Sequence, residues 1–363
     1  MQEENVSFST SKDVFYNPSM RLCRSMSSLA VGAIGEKLEV VDAFTASGIR
    51  GIRYAKENRN VKKLTLLDID RRAIALAKKN IKAAKLKAST SSVALGNISR
   101  LAFELDADFI ELDPFGTPSP YLNDAFRYFN TKKVAYLSAT ATDVAVLCGG
   151  KTAPCQKNYH SKPMNNEFTH ETGLRIMIKR IAEVAAEFNM GIRPLVSFSD
   201  KHYLKSVLEV RRSADLAFGS MNALGHVSFC HACGERSHSK FPVPSCPRCG
   251  AENDYAGQLW LGELHGADFI RKMAELNVQR EYSDKTEIGR MLNEMETEVG
   301  MPPYYYNIHA LCKIAHMKSV PTTDNVLKAL ETTGHKAFRT HFSPISIKTA
   351  APYGDILRAI GAS

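Results

Sequence analysis

Between Lys37 and Ala139 the chain alternates short β-branched runs with amphipathic stretches, and few folds are compatible with that alternation. Parallel strands cannot be joined by tight turns, so each pair needs a crossover, and helices laid over the sheet bury its apolar residues. The runs predict strands over Leu38 to Asp42, Leu64 to Asp68, Ser92 to Leu95, Asp108 to Leu112 and Val134 to Ala139. Arg71 to Ala84 is expected to be helical, because Ala73, Ile74, Ala77, Ile81 and Ala84 keep one apolar face. His170 to Phe188 reads as another long helix. It leads into Arg193 to Ser199 and Tyr203 to Arg211, extended runs about a turn apart that finish the sheet as a hairpin. The expectation is an α/β, doubly wound sheet through about residue 225.

From Val227 to Leu261 the periodicity gives way to Cys, Pro, Gly and Ser, and helices are expected again near 265 to 277, 284 to 298 and 322 to 333. A chain of 363 residues is long for one domain, which suits a division at 1–225, 226–262 and 263–363. Apolar residues at 44% and charged residues at 23% exclude long disorder and collagen-like or coiled-coil classes. The first residues, MQEENVSFSTS, lack a secretory signal's basic and apolar regions, and no apolar run reaches membrane-spanning length. A cytoplasmic location without a membrane partner is therefore expected. The net charge of +9 permits a polyanionic partner but does not require one.

Eight cysteines are too sparse for a disulfide scaffold in a chain this long. Two Cys-x2-Cys pairs, Cys230 with Cys233 and Cys246 with Cys249, instead offer four thiolates for a tetrahedral zinc ion, with free turns or a redox pair as the weaker alternative. Gly234 and Gly250 follow the second cysteine of each pair, where the backbone must turn around the metal. A filled set of four sulfurs leaves no position for water, so such an ion is structural. His226, His231 and His238 read as exposed loop residues.

The remaining chemistry gathers where strands end. The turn from Asp42 to Arg50 is rich in small residues but lacks the Gly-x-Gly-x-x-Gly of dinucleotide folds, so alone it fits an ordinary strand-to-helix turn equally well. Asp68 ends the second strand, where α/β folds place a carboxylate on the ribose hydroxyls of an adenosine, and Asp70 is better placed to cap the helix that follows. Asp113, Pro114 and Phe115 end the fourth strand. A carboxylate and a proline carbonyl can hold the hydrogens of a conjugated exocyclic amine while the ring stacks on the base, although Asp-Pro is also a common turn opening.

Several separate stretches together resemble the tRNA guanine-26 N2-dimethyltransferase family, nearly from end to end. They are Val14-Phe15-Tyr16-Asn17-Pro18 with Arg24, DAFTASGIRGIR from Asp42, the DPFG run from Asp113, and ATATDVAVLCG at 139–149. HETGLRI at 170–176, SFSDKHY at 197–203, GQLWLGELH at 257–265 and RTHF with IKT at 339–349 complete them. The resemblance implies a class I, Rossmann-like methyltransferase domain that uses S-adenosylmethionine, followed by a smaller α+β domain, with tRNA as partner. It places Arg24, Arg50 and Asp68 on cofactor positions, Asn97 and Ile98 beside the adenine, Asp113 on the catalytic carboxylate, and Phe15 and Phe115 around the target guanine. Two departures stand out: Gly96-Asn97 where an acidic residue is expected, and a less basic run from Cys155 to His160. His341 lies far from the sheet in sequence and reads as a packing or RNA-contact residue.

Other classes remain as alternatives. Amine methyltransferases acting on DNA adenine or glutamine amides also end the fourth strand with acceptor, proline and aromatic, but as Asn/Asp-Pro-Pro-Tyr, whereas a single proline precedes Phe115 here. A non-catalytic zinc-knuckle RNA-binding protein would have no use for both Asp68 and Asp113. No obligate protein partner is expected.

Overall fold

The alternating segment folds into one seven-stranded sheet in the computed structural model, which describes residues 1–101 and 106–361. Its strands are β1 (Leu38–Asp42), β2 (Val61–Asp68), β3 (Ser91–Leu95), β4 (Phe109–Leu112), β5 (Val134–Ala141), β6 (Met190–Asp200) and β7 (Tyr203–Arg212). Across the sheet they run β3-β2-β1-β4-β5-β7-β6, with β1 to β5 parallel and β7 inserted antiparallel between β5 and β6. The hairpin expected from the two late extended runs is thus present and completes the sheet. Pro194 is accommodated because β6 is an edge strand with a bulge between Pro194 and Val196. β2 starts earlier than its apolar pattern suggests, because the exposed Val61–Lys63 backbone still pairs with β1.

Helices cover both faces. They are α1 (Arg21–Ile34), α2 (Ile49–Glu57), α3 (Arg71–Ala83), α4 (Thr169–Glu187), α5 (Ala214–Asn222), α6 (Ala267–Gln279) and α7 (Lys285–Thr297). α1 has no counterpart among the sequence expectations. It is buried on nearly all sides, Ser25, Ser27 and Ser28 included, so no polar face marks its period. α6 lies across α1, and Arg280 beyond its end reaches Asn58 Oδ1 (2.5 Å) and Ser28 Oγ (3.1 Å). The segment after the cysteine region therefore returns to the first sheet before moving on.

Two small sheets follow. β8 (Leu224–Phe229), β9 (Arg236–Ser239) and β10 (Asp254–Trp260) pair antiparallel in the order β9-β8-β10 and carry the cysteines at one end. β11 (Tyr306–Asn307), β12 (Ala337–Thr340) and β13 (Ser343–Thr349) form the third sheet, ordered β11-β13-β12. One apolar cluster runs from Val41 and Leu137 through Val227 and Trp260 to Ile347 and Ile360, so all three sheets share a core. Arg236 pins the junction. Its guanidinium lies over the rings of Phe168, Phe229 and Tyr306 and bonds Glu167 Oε1 (2.6 Å) and the Tyr305 carbonyl (2.6 Å). No helix among the described residues is long and apolar enough to cross a membrane.

The packing of α5 on β6 admits no side chain at Gly191, where an added Cβ would come within 2.5 Å of the Leu216 backbone. Gly191→Ala is expected to force α5 off the edge strand and lower stability by roughly 1–3 kcal/mol. Urea denaturation checks this, and an unchanged midpoint would contradict the packing described.

Candidate active site

β1 is the strand at which the chain reverses its direction of travel across the sheet, going first to β2 and β3 and later to β4 and β5. Loops leaving neighbouring strands in opposite directions open a crevice at the carboxyl edge, where α/β sheets bind ligands. A cleft of about 760 Å³ lies there, lined by Phe15, Phe44, Asp68, Asp113, Pro114 and Phe115 among others.

The turn from β1 into α2 forms its floor. Gly48 has φ +82°, with its N–H donating to the Thr45 carbonyl at 2.7 Å, and the backbone from Ala46 to Gly48 bends sharply into the helix. Asp68 is held from below: Oδ2 accepts the Ala46 N–H and Oδ1 the Asp70 N–H, both at 2.9 Å. Each oxygen keeps a lone pair for the cleft, as contact with two ribose hydroxyls requires. Asp70 takes the other role read for it, capping α3 through the Arg72 N–H (2.8 Å).

At and beneath the floor three carboxyl groups and two cations share one buried space. Arg50 is buried and pairs with Asp113, with Ser27 Oγ at 3.4 Å. Lys205, fully buried, pairs with Glu111 and bonds Thr140 Oγ1 (2.9 Å), while Tyr54 donates to Glu111 Oε2 (2.7 Å). Asp42 accepts from Thr45 Oγ1 and the Gly51 N–H, each at 3.2 Å. Burial alone would push the Asp113 carboxyl up, but the charges of Arg50 and Lys205 outweigh it and hold the group below the usual carboxylate range. Asp42 goes the other way, to about 7, through burial and then the neighbouring Glu111 and Asp113 charges. Lys205 was not singled out, although a cation inside an apolar run is a signal for it; Asp42 was read only as the end of a strand and the start of a turn.

Phe15 and Phe115 stand exposed at the mouth, their centroids 4.8 Å apart and their planes at 84°. The rings meet edge to face, so a base can enter between them only by parting them. Phe15 belongs to an N-terminal segment tied down by Glu3, whose buried carboxylate receives Arg24 Nε (2.7 Å), Arg53 (2.9 Å) and the Tyr16 hydroxyl (3.0 Å). Arg24 lines the cleft but is committed to Glu3 and to the Asn17 carbonyl (3.2 Å). Sequence reasoning passed over Glu3, which no motif marks. Asn97 and Ile98 do not line the cleft: Asn97 caps Arg100 (2.9 Å), and Ile98 is buried below it. They follow Gly96, whose N–H bonds the Asp68 carbonyl at 3.0 Å.

Sulfur atoms of Cys230, Cys233, Cys246 and Cys249 all lie within 4.8 Å of one another. The Cys230–Cys249 and Cys233–Cys246 separations, 3.5 and 3.6 Å, are near the ~3.8 Å edge of a tetrahedron of thiolates about 2.3 Å from zinc. Gly234 and Gly250 take φ of +81° and +75°, as the turns around such an ion require. Burial opposes ionisation of Cys246, but the Cys249 and Arg248 N–H groups overcome it and bring the thiol to about 7. The donor set fits zinc. His226 lies half-buried on strand β8 and His238 exposed on strand β9, both in strands rather than in loops, because the small sheet extends beyond the knuckles.

A second close group, His265, Glu298 and His341, is wholly buried. Glu298 Oε1 accepts from Thr340 Oγ1 (2.8 Å), the His341 N–H (2.9 Å) and His341 Nδ1 (2.8 Å), and Lys348 Nζ stands 4.0 Å from Oε2. With one oxygen saturated and a lysine beside the other, the triad joins α7 to the third sheet, and His341 packs rather than meets RNA.

The sheet order, the crevice and the carboxylate at the end of β2 define a class I, S-adenosylmethionine-dependent methyltransferase. Comparison with known proteins narrows this. The chain matches the model of the N2,N2-dimethylguanosine tRNA methyltransferase family over residues 1–361 and belongs to that family. It is 33% identical over 360 residues to the tRNA (guanine(26)-N(2))-dimethyltransferase of Methanobrevibacter smithii, covering 97% of this chain and 92% of that one. The enzyme of the same name from Methanothermobacter thermautotrophicus is 34% identical, with coverage of 94% and 91%. Among solved structures, the complex of Trm1 from Pyrococcus horikoshii with S-adenosyl-L-methionine superposes with a TM-score of 0.90 at 29% identity over 99% of both chains.

A carboxyl group raised on folding loses stability as pH climbs from its unfolded value, near 4, through its folded value, about 7 for Asp42. Asp42→Asn is therefore expected to gain on the parent protein over that interval, by up to roughly 1.4 kcal/mol per pH unit. Urea titrations at about pH 5 and about pH 8 measure the difference, and a pH-independent gap would contradict the assignment.

Proposed function

We infer that this chain transfers methyl groups to the N2 amino group of guanine 26 in tRNA, giving the N2-methyl and then the N2,N2-dimethyl nucleoside. The observation that carries the reading is the family match over nearly the whole chain, joined to a carboxylate of lowered pKa, Asp113, lining the crevice. Bound S-adenosylmethionine supplies an electrophilic methyl on a positive sulfur. Asp68 would hold its ribose and Arg24 and Arg50 its methionine end; Asn97 and Ile98, which do not line the cleft, would bear on its adenine only through the backbone that follows Gly96. The cleft fits such a ligand in size, in its apolar walls at Phe44 and Ile49, and in the lone pairs left free on Asp68.

Asp113 and the Pro114 carbonyl accept the amine hydrogens and draw the nitrogen lone pair out of conjugation. As the new bond forms, the nitrogen becomes cationic and strongly acidic, so a carboxylate of lowered pKa can still take its proton. Arg50 keeps that carboxylate fixed and charged in a dry site. The base reaches this point flipped out of the tRNA, with Phe15 and Phe115 parting to stack on it. In this reading 1–225 serves catalysis, 226–262 zinc and 263–363 tRNA contact, and the protein works in the cytoplasm, on tRNA, without an obligate protein partner.

Asp113→Ala is expected to bind cofactor and tRNA normally but lose about 100-fold or more in methyl transfer, since the carboxylate matters most as charge develops. Single-turnover assays with labelled methyl donor on tRNA bearing guanosine or adenosine at position 26 check it. Parent-like rates, or equal labelling of both tRNAs, would refute the mechanism or the target. Protein purified without chelator should carry roughly one zinc ion per chain, and Cys246→Ser should lose it together with local stability. Elemental analysis finding no metal would count against the four-sulfur site.

A further inference from the structure

Two stacking rings hold a flat base without choosing which base it is. Guanine presents three groups along one edge: two hydrogens on N2, one on N1, and the acceptor O6. Asp113 and the Pro114 carbonyl are acceptors and serve the hydrogens. O6 needs a donor, and the cations lining the cleft among the described residues, Arg24 and Arg50, are paired with Glu3 and Asp113 and assigned to the cofactor's methionine end. The Tyr16 hydroxyl is likewise spent on Glu3 (3.0 Å).

Asn17 is different. It lines the cleft two residues after Phe15, on the same tethered segment. Its Oδ1 accepts the Ser19 N–H at 3.0 Å, and an amide whose oxygen faces a backbone N–H must direct its NH2 the other way. That NH2 lies 3.5 Å from Nε2 of His202, which sits at the exposed tip of the β6–β7 hairpin and also lines the cleft. A contact so long holds the amide weakly, and it occupies at most one of its two hydrogens. The cleft therefore has an oriented, neutral donor beside one stacking ring and an acceptor pair beside the other.

We propose that the Asn17 side-chain amide donates to O6 of the flipped guanine and so sets the preference for guanine over purines that carry an amino group at C6. The assignment rests on guanine N2 being the methylated atom. A purine with amines at both C2 and C6 still offers the reacting nitrogen but meets Asn17 donor to donor, leaving both groups unpaired in a desolvated site.

The test uses full-length tRNA with guanosine or 2,6-diaminopurine riboside at position 26, the parent protein, and the variants Asn17→Asp and Asn17→Ser. Both variants keep an oxygen for the Ser19 cap, and calorimetric S-adenosylmethionine affinity reports any disturbance of Arg24. The parent should favour guanosine by about 100-fold in kcat/KM. Asn17→Asp, an acceptor in place of the donor, should lose about that factor on guanosine while holding or gaining activity on diaminopurine. Asn17→Ser should lose on guanosine alone. Parent-like discrimination in both variants overturns the proposal, as does an equal loss on both substrates in a variant that binds cofactor normally. A parent protein that leaves guanosine 26 unmethylated brings down the reading of the target, and this inference with it.

Discussion

Charge balance beneath the carboxyl edge of the first sheet governs the rest of the molecule. Three carboxyl groups, Asp42, Glu111 and Asp113, share a buried space with two cations, Arg50 and Lys205. Isolated charges are costly there, so each cation secures one partner and the third carboxyl holds its proton to higher pH than usual. Arg50 takes Asp113 and Lys205 takes Glu111, which leaves Asp42 as the group raised to about 7. The arrangement presents one paired carboxylate, Asp113, to the cleft, with Asp42 buried in its wall and Glu111 below it. Lys205 on β7 engages Glu111, the second carboxyl whose charge acts on Arg50.

Much of this was legible in the chain. The five parallel strands and the closing hairpin follow from β-branched runs of period and length that only a covered sheet uses, and the four cysteines announce themselves by spacing. Asp68, Asp113, Phe15 and Phe115 stand at element ends where motifs are readable, and the structure brings all four to one cleft. What escaped detection has physical reasons. α1 is buried on nearly every side and rich in serine, so it lacks the polar face that marks a surface helix. Glu3 is a lone acidic residue in an unremarkable stretch, and its importance lies in Arg24 and Arg53, distant in sequence. The return of α6 to α1 is a tertiary choice that no local pattern encodes.

The N-terminal segment shows how a weakly structured stretch becomes part of a site. It has few regular elements of its own, yet Glu3 anchors it to two buried arginines and Asn80 clamps it at Ser9 (2.7 and 3.0 Å). Both arginines oppose burial in holding the Glu3 carboxyl below its ordinary range, so the anchor stays charged through neutral pH. Phe15 thereby meets Phe115 across the mouth, and Asn17 lines the same cleft as Asp113, from a segment fixed at its base.

Arg236 gives the molecule a rigid wrist. Enclosed by three aromatic rings and bonded to Glu167 and the Tyr305 carbonyl, it locks the cysteine-bearing sheet, the start of α4 and the third sheet at one angle. A hinge at that joint would require a guanidinium to leave its partners inside a dry core. The distance from the catalytic crevice to the far end of the molecule is consequently a fixed length. Any long, folded partner laid along such a body would meet a rigid rule rather than a pair of jaws, and the adjustment of fit would fall to the partner.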